Sequence, residues 1–145
     1  MRDVIYKSLS KIIDFELDGK ETSQKMFDIY SFSHITHGII FYFILNYFNY
    51  TVNKIFIISF FIEIIWEWFE NTSFIIKKYR KNPNFEHYQG DSKINIIGDI
   101  IFMVFGLILC LISPYVAIAY VIISEIILYK FKANLLYLSI GNLIK

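Results

Sequence analysis

The sequence predicts an all-α, polytopic membrane protein that forms a single domain over residues 1–145. The predicted architecture is a bundle of four transmembrane helices with an N-terminal interfacial amphipathic helix. Hydrophobic residues make up 56% of the 145-residue chain and aromatic residues 19%, which is more apolar than a soluble domain of this size. The chain also contains long segments without charge, and one apolar segment has about the length needed to cross a hydrocarbon core.

The first part of the chain predicts one helix on the membrane surface and one across it. Residues 1–28 place Val4, Ile5 and Leu9 at helical spacing, while Lys7 and Lys11 fall elsewhere on the wheel, which is typical of an interfacial amphipathic helix. From residue 29 to residue 53 no Asp, Glu, Lys or Arg occurs. We therefore predict the first transmembrane helix at about residues 30–50.

The second predicted transmembrane helix, at about residues 55–76, contains three glutamates. Glu63, Glu67 and Glu70 are spaced i, i+4 and i+7, so they line one narrow face of a helix. An ionisable group at mid-bilayer costs roughly 2.5 to 3.5 kcal/mol on insertion scales. These carboxyl groups are therefore expected to face the bundle interior, where they are protonated, paired or bound to a metal.

Two further transmembrane helices are predicted at about residues 94–111 and 115–129, joined by a tight turn at Ser113 and Pro114. Residues 77–93 form the main loop and carry five Lys or Arg residues. Positive charge also precedes the first predicted span and follows the last. The positive-inside rule then places both termini and this loop in the cytoplasm, for a multi-pass protein of the cell inner membrane.

This topology gathers polar residues near the cytoplasmic boundary. His34 and His37 are spaced i, i+3 at the start of the first span, and Glu67 and Glu70 lie near the end of the second. Two histidines with two carboxylates suit a divalent transition metal such as Zn, Mn or Fe. These four residues are the predicted metal ligands. The alternative for the histidines is a structural role at the interface, with a hydrogen bond to a lipid headgroup or a backbone carbonyl. The alternative for the two glutamates is a structural hydrogen-bond network with Asn95, Tyr42 or the histidines.

Three further acidic residues are the candidate catalytic groups: Asp91, Asp99 and Glu63. Asp91 could instead cap the third helix together with Ser92, because both residue types favour that position. Asp99 lies about two turns into the predicted span and has no such capping role. Glu63 is expected to lie deeper than the other groups, near the middle of the bilayer.

Four sequence blocks resemble a functionally uncharacterised family of small bacterial inner-membrane proteins. These blocks are residues 30–38 (YSFSHITHG), 66–71 (WEWFEN), 74–80 (FIIKKYR) and 90–99 (GDSKINIIGD). More distantly, the histidine of the first helix, the glutamate of the second, and Asp91, Asn95 and Gly98 at the start of the third are similar to VanZ-like membrane proteins. The resemblance implies a multi-pass inner-membrane protein and supplies no reaction.

Three functions stay open on the sequence. The first is a metal-dependent enzyme that acts on a lipid or other amphiphile at the cytoplasmic leaflet. The second is a small transporter or proton-coupled carrier that uses Glu63 and Asp99 as the deep part of a relay. The third is a non-catalytic helper subunit that binds a membrane-protein partner or a second copy of the chain. Membrane lipids are predicted partners, and a net charge of +1 argues against nucleic acid.

Overall fold

The computed structural model describes residues 13, 23–82 and 85–130, and five helices lie within these ranges. They are α1 Ser31–Tyr47, α2 Val52–Glu70, α3 Ser73–Tyr79, α4 Lys93–Ile112 and α5 Pro114–Lys130. Outside the helices, the described residues form turns, loops and one isolated bridge between Ile13 and Phe27. The predicted all-α class is confirmed for these residues. Most of the predicted amphipathic helix over 1–28 lies outside them.

The helices begin where local chemistry favours a start. Ser92 caps α4, because its hydroxyl accepts a hydrogen bond from the Asn95 backbone N–H at 3.2 Å. Pro114 is the first residue of α5, where a missing backbone N–H costs nothing. Helices α1, α4 and α5 thus occupy the segments that the sequence predicted as the first, third and fourth spans.

The prediction of one continuous helix over residues 55–76 is wrong. Helix α2 ends at Glu70, and the separate helix α3 begins at Ser73. The Asn71 side chain donates hydrogen bonds to the backbone carbonyl of Glu67 at 2.9 Å and to the Asp91 carboxylate at 2.8 Å. Thr72 is extended, and its hydroxyl accepts from the Ile75 N–H at 3.4 Å, which caps a new helix.

Among the described residues, α4 is the one helix that is both long and apolar enough to cross a membrane. Helices α1 and α5 have 17 residues each, which corresponds to about 25 Å of helix. Helix α2 has 19 residues, but Lys54 and its three glutamates make it more polar than α4. The four-span membrane bundle therefore stays a prediction.

Helices α1 and α4 pack closely at two glycines. A Cβ atom added to Gly38 would lie 2.0 Å from the carbonyl oxygen of Met103, and one added to Gly106 would lie 2.1 Å from the carbonyl oxygen of Ile35. Glycine at these two positions lets the two backbones approach without a side chain between them. This close contact brings the polar first half of α1 against the start of α4.

Helices α2 and α5 pack on either side of the α1–α4 pair. The fully buried Ile55 of α2 joins Met103 and Leu107 in one apolar cluster. Ala117 of α5 joins Ile39 and Cys110 in another. The first half of α1 is consequently surrounded by other parts of the protein, and its residues from Ser33 to Ile39 are all buried.

Candidate metal centre

The site begins with two histidines on the buried half of α1. His34 and His37 are one turn apart, and their rings contact each other with centroids 4.8 Å apart. Both residues are buried, with His34 6% and His37 9% exposed. A polar ring inside a helical bundle needs hydrogen-bonding or charged partners, so the neighbouring helices must supply them.

Glu63 of α2 is the main partner of both histidines. Its Oε1 atom lies 2.5 Å from His34 Nδ1 and 3.2 Å from His37 Nδ1. The second carboxylate oxygen, Oε2, lies 3.3 Å from His37 Nδ1. Glu63 is fully buried, so this carboxylate is compensated by imidazole groups rather than by water.

Glu67 and Asp99 complete the surroundings of His34. Glu67 Oε1 lies 3.5 Å from His34 Nδ1, and Asp99 Oδ2 lies 3.8 Å from His34 Nε2. Both carboxyl groups are buried, and Glu67 Oε1 and Asp99 Oδ1 have no hydrogen-bond partner among the described residues. Buried carboxylate oxygens without a donor require an ion, a proton or water to compensate them.

These side chains form two groups of potential metal ligands that share His34. One group is His34, His37 and Glu63; the other is His34, Glu67 and Asp99. Within each group, one ligand atom per residue lies within 4.8 Å of the others. Nitrogen and oxygen ligands bind zinc at about 2.0 to 2.2 Å, so ligands of one ion are separated by roughly 3 to 4 Å. Small side-chain movements would bring either group to that spacing.

The structure separates Glu70 from the other predicted ligands. His34, His37 and Glu67 belong to the two groups above, whereas Glu70 belongs to neither. Glu70 is half-buried and lines a polar cavity beside the cluster. Conversely, Glu63 was predicted as a catalytic group at a separate depth, and the structure places it between the two histidines.

Asp91 forms a second polar network at the break between α2 and α3. Its carboxylate accepts hydrogen bonds from the Tyr88 hydroxyl at 2.9 Å and from Asn71 at 2.8 Å, and its backbone N–H donates to Asn71 Oδ1 at 2.6 Å. Burial raises the pKa of Asp91, while the bonds from Tyr88 and Asn71 oppose that rise. Burial and the Asp91 charge hold the pKa of Tyr88 well above its usual value. Ser92, and not Asp91, caps α4.

Sequence reasoning missed Asp28, which holds the start of α1. Its Oδ1 atom accepts from the backbone N–H groups of Tyr30 at 2.8 Å and Ser31 at 3.0 Å, and Ser23 donates to Oδ2 at 3.3 Å. Burial raises the pKa of Asp28, and the backbone bond from Ser31 opposes this. An Asp shortly before a helix is a known signal for such backbone bonds, so the position was recognisable in the sequence.

A small cavity of about 40 Å³ lies beside the cluster. Its lining is strongly polar and includes His34, His37, Asp99, Glu70 and Asp91. One water molecule needs roughly 10 to 15 Å³ of such a cavity, so the cavity has room for about three water molecules. That space suits a metal ion with bound water, or the reacting group of a larger molecule whose remainder stays outside.

The fold and the site define an all-helical protein with a buried histidine–carboxylate cluster assembled from α1, α2 and α4. The chain belongs to the family described as "Protein of unknown function (DUF2585)", whose model matches residues 7–144. The predicted membership of an uncharacterised bacterial family is therefore confirmed, whereas the inner-membrane location and the VanZ-like relation stay predictions.

Similar proteins carry the name "UPF0314 protein". That of Sphingopyxis alaskensis is 38% identical over 93 residues, which cover 62% of this chain and 49% of the relative. That of Brucella anthropi is 34% identical over 91 residues, which cover 61% of this chain and 46% of the relative. That of Paracoccus denitrificans is 34% identical over 111 residues, which cover 75% of this chain and 58% of the relative. The chain spans about half the length of these curated relatives. No solved structure matches it.

Proposed function

We propose that this protein is an integral inner-membrane enzyme that binds a divalent transition metal at the His34 cluster and acts on a lipid or other amphiphile at the cytoplasmic leaflet. The observation that carries the proposal is the surroundings of His34. Three carboxylates, from Glu63, Glu67 and Asp99, lie within 3.8 Å of its ring nitrogens, and two of them have an oxygen without a hydrogen-bond donor.

A divalent metal ion would compensate this arrangement. It would bring two positive charges to a buried cluster in which three carboxyl groups surround His34. Histidine nitrogen with carboxylate oxygen is a ligand set that Zn, Mn and Fe accept. The 2.5 Å bond between His34 and Glu63 would be replaced when an ion enters between these two atoms.

The outer surface supports a membrane location. Large apolar side chains face outward along α2, including Ile57, Phe61 and Ile65, each more than half exposed. The outward faces of α4 and α5 are similarly apolar, as at Phe105 and Ile126. Contiguous apolar surface of this kind marks contact with lipid or with a partner.

The catalytic roles follow from which atoms lack partners. A metal held by His34, His37 and Glu63 would supply Lewis-acid activation of water for the hydrolysis of an ester or phosphoester. Glu67 and Asp99 each have a buried oxygen for which the described residues offer no donor, and these oxygens would accept the proton of that water. In that hydrolysis the water oxygen joins the acyl carbon or phosphorus, and the accepted proton passes to the leaving oxygen. The His37 ring makes an edge-on contact with the Trp66 ring, with 5.6 Å between the ring centroids.

The alternative functions have less support. The transport relay was predicted to use Glu63 and Asp99 as its deep part. Glu63 bonds to both histidines and Asp99 lies 3.8 Å from His34, which favours one shared centre instead. In a helper subunit the polar residues of the bundle would bind a partner's helices, whereas His34, His37 and Glu63 are buried within this chain.

Turnover in vesicles tests the proposal. The purified protein, reloaded with Zn, Mn or Fe, is placed in vesicles made from the total lipid extract of its host membrane, and lipid products are followed by mass spectrometry. We expect a metal-dependent product that is lost in His37→Ala and retained in His87→Ala, a change at an exposed histidine of the loop. Absence of any product with all three metals would contradict the enzymatic part of the proposal.

A further inference from the structure

A groove on the outer surface leads to the metal cluster from the side. It lies between α2 and the start of α4, at the break between α2 and α3, and has a volume of about 580 Å³. Ligand sites in proteins commonly have about 300 to 1,000 Å³. The groove is therefore large enough to hold part of an amphiphile, unlike the 40 Å³ polar cavity inside.

The groove changes in polarity along its length. Ile64, Trp68 and Ile96 make its apolar part, and Trp68 is 72% exposed. Its polar part is made by Asn71 and Thr72, in the turn between the helices, and by Ser73 at the start of α3. A lipid has the same division, with apolar chains joined to a polar headgroup. By the predicted topology the turn lies at the cytoplasmic boundary, which is the depth of the headgroups.

Glu67 connects this groove to the cluster. It lines the groove, and it is also a member of the group formed with His34 and Asp99. Its side chain is nearly fully buried, and its Oε1 atom has no hydrogen-bond partner. This oxygen is buried on the side of Glu67 that faces His34, 3.5 Å from its Nδ1 atom. A rotation of the Glu67 side chain towards the groove would let a donor group of a ligand bind it.

We infer that the α2–α4 groove is the lateral entry through which a membrane lipid brings its headgroup to Glu67, with its acyl chains against Ile64, Trp68 and Ile96. The inference rests on the proposed membrane location and deepens the proposed function by naming the substrate class and its route. It does not require that a metal be bound, because the groove and the free Glu67 oxygen are features of the protein alone.

A headgroup-labelled lipid tests the inference. The protein is reconstituted in vesicles that contain phosphatidylethanolamine with a diazirine on its headgroup, irradiated and digested, and the adducts are located by mass spectrometry. We expect an adduct at Glu67 in the wild type. We expect its loss in Ile96→Trp, which fills the groove, and its retention in the matched control Ile97→Trp, on the exposed face of α4 and outside the groove.

The outcomes separate this inference from the proposed function. Metal content and helical circular dichroism are measured on each variant, and Ile64→Trp serves as a second groove-filling change if Ile96→Trp does not fold. An adduct at Glu67 that depends on the groove, in a protein without metal or turnover, would support the entry route and overturn the enzymatic proposal. Wild-type protein without an adduct at Glu67, or equal labelling in the filled variants, would overturn the entry route.

Discussion

Glu63 bonds to His34 across 29 residues of sequence, with 2.5 Å between Oε1 and Nδ1, and this contact joins α2 to α1 in the middle of the site. The same carboxylate reaches His37, so one buried glutamate compensates two imidazoles. Its loss would leave two buried histidines without their main partner.

We therefore predict that Glu63→Ala strongly destabilises the protein. Removing one partner of a buried charged pair typically costs about 3 to 5 kcal/mol. Glu63→Gln keeps a hydrogen-bonding oxygen and should cost clearly less. The stability of both variants is measured by thermal unfolding in detergent, monitored by circular dichroism, with Glu86→Ala at an exposed residue as the control. Equal stability of Glu63→Ala and Glu86→Ala would contradict the role assigned to this contact.

The close approach of α1 and α4 makes a second prediction. A methyl group at Gly106 would lie 2.1 Å from the Ile35 carbonyl oxygen, so Gly106→Ala must push the helices apart. We expect a loss of about 1 to 3 kcal/mol in stability, as for overpacked cores, together with weaker metal binding because His34 and Asp99 separate. Ala119→Val, a similar enlargement on the exposed face of α5, should change neither quantity. Unchanged metal affinity in a folded Gly106→Ala variant would argue against this coupling.

The network at Asp91 predicts a pH dependence of stability. Burial raises the folded-state pKa of Asp91 above its ordinary value of 3.8, so the folded protein retains a proton that the unfolded chain has lost. The stabilisation is present at acidic pH and is lost as the pH rises from the ordinary Asp range through the raised value. Asp91→Asn has no proton to lose, and its unfolding midpoint should vary less with pH. Glu86→Gln, at an exposed carboxylate, serves as the control. The same pH dependence of the unfolding midpoint in the wild type and in Asp91→Asn would exclude this contribution.

The membrane topology is testable with single cysteines in a Cys110→Ala background. Thr51→Cys lies in the exposed turn before α2 and Tyr115→Cys in the exposed first turn of α5, at one end of the bundle, and Glu86→Cys lies in the loop at the other. With a membrane-impermeant maleimide on intact cells, we expect labelling of the first two and protection of the third until the cells are permeabilised. Labelling of Glu86→Cys in intact cells would contradict the predicted orientation.

The sequence was sufficient to predict the helical segments and most of the cluster. The charge-free stretch of residues 29–53 marked α1, and two apolar segments separated by Ser113 and Pro114 marked α4 and α5. The i, i+3 spacing of His34 and His37 placed both on one face, and their rings are in contact. The capping role of Ser92 was one of the recognised alternatives. These features depend on local sequence, which periodicity and capping chemistry describe well.

The depth of Glu63 was not predicted, and the reason is the helix break. With one helix extending to residue 76, Glu63 lies 13 residues, or about 20 Å, from the helix end that was predicted to be cytoplasmic. With α2 ending at Glu70 the separation is seven residues, or about 10 Å, which matches the depth of His37 in α1. The break depends on the bonds of Asn71 to Asp91, a contact across 20 residues that local patterns do not reveal.

The central claim is that the His34 cluster binds a metal, and elemental analysis of the detergent-purified protein tests it most directly. The measurement compares wild type with His37→Ala and Glu67→Ala, with His87→Ala as the matched control and circular dichroism to confirm folding. We predict near-stoichiometric Zn, Mn or Fe in the wild type and in His87→Ala, and its loss in the two folded cluster variants. A wild-type protein that holds no metal even after reloading, or cluster variants that keep the wild-type metal content, would contradict the account.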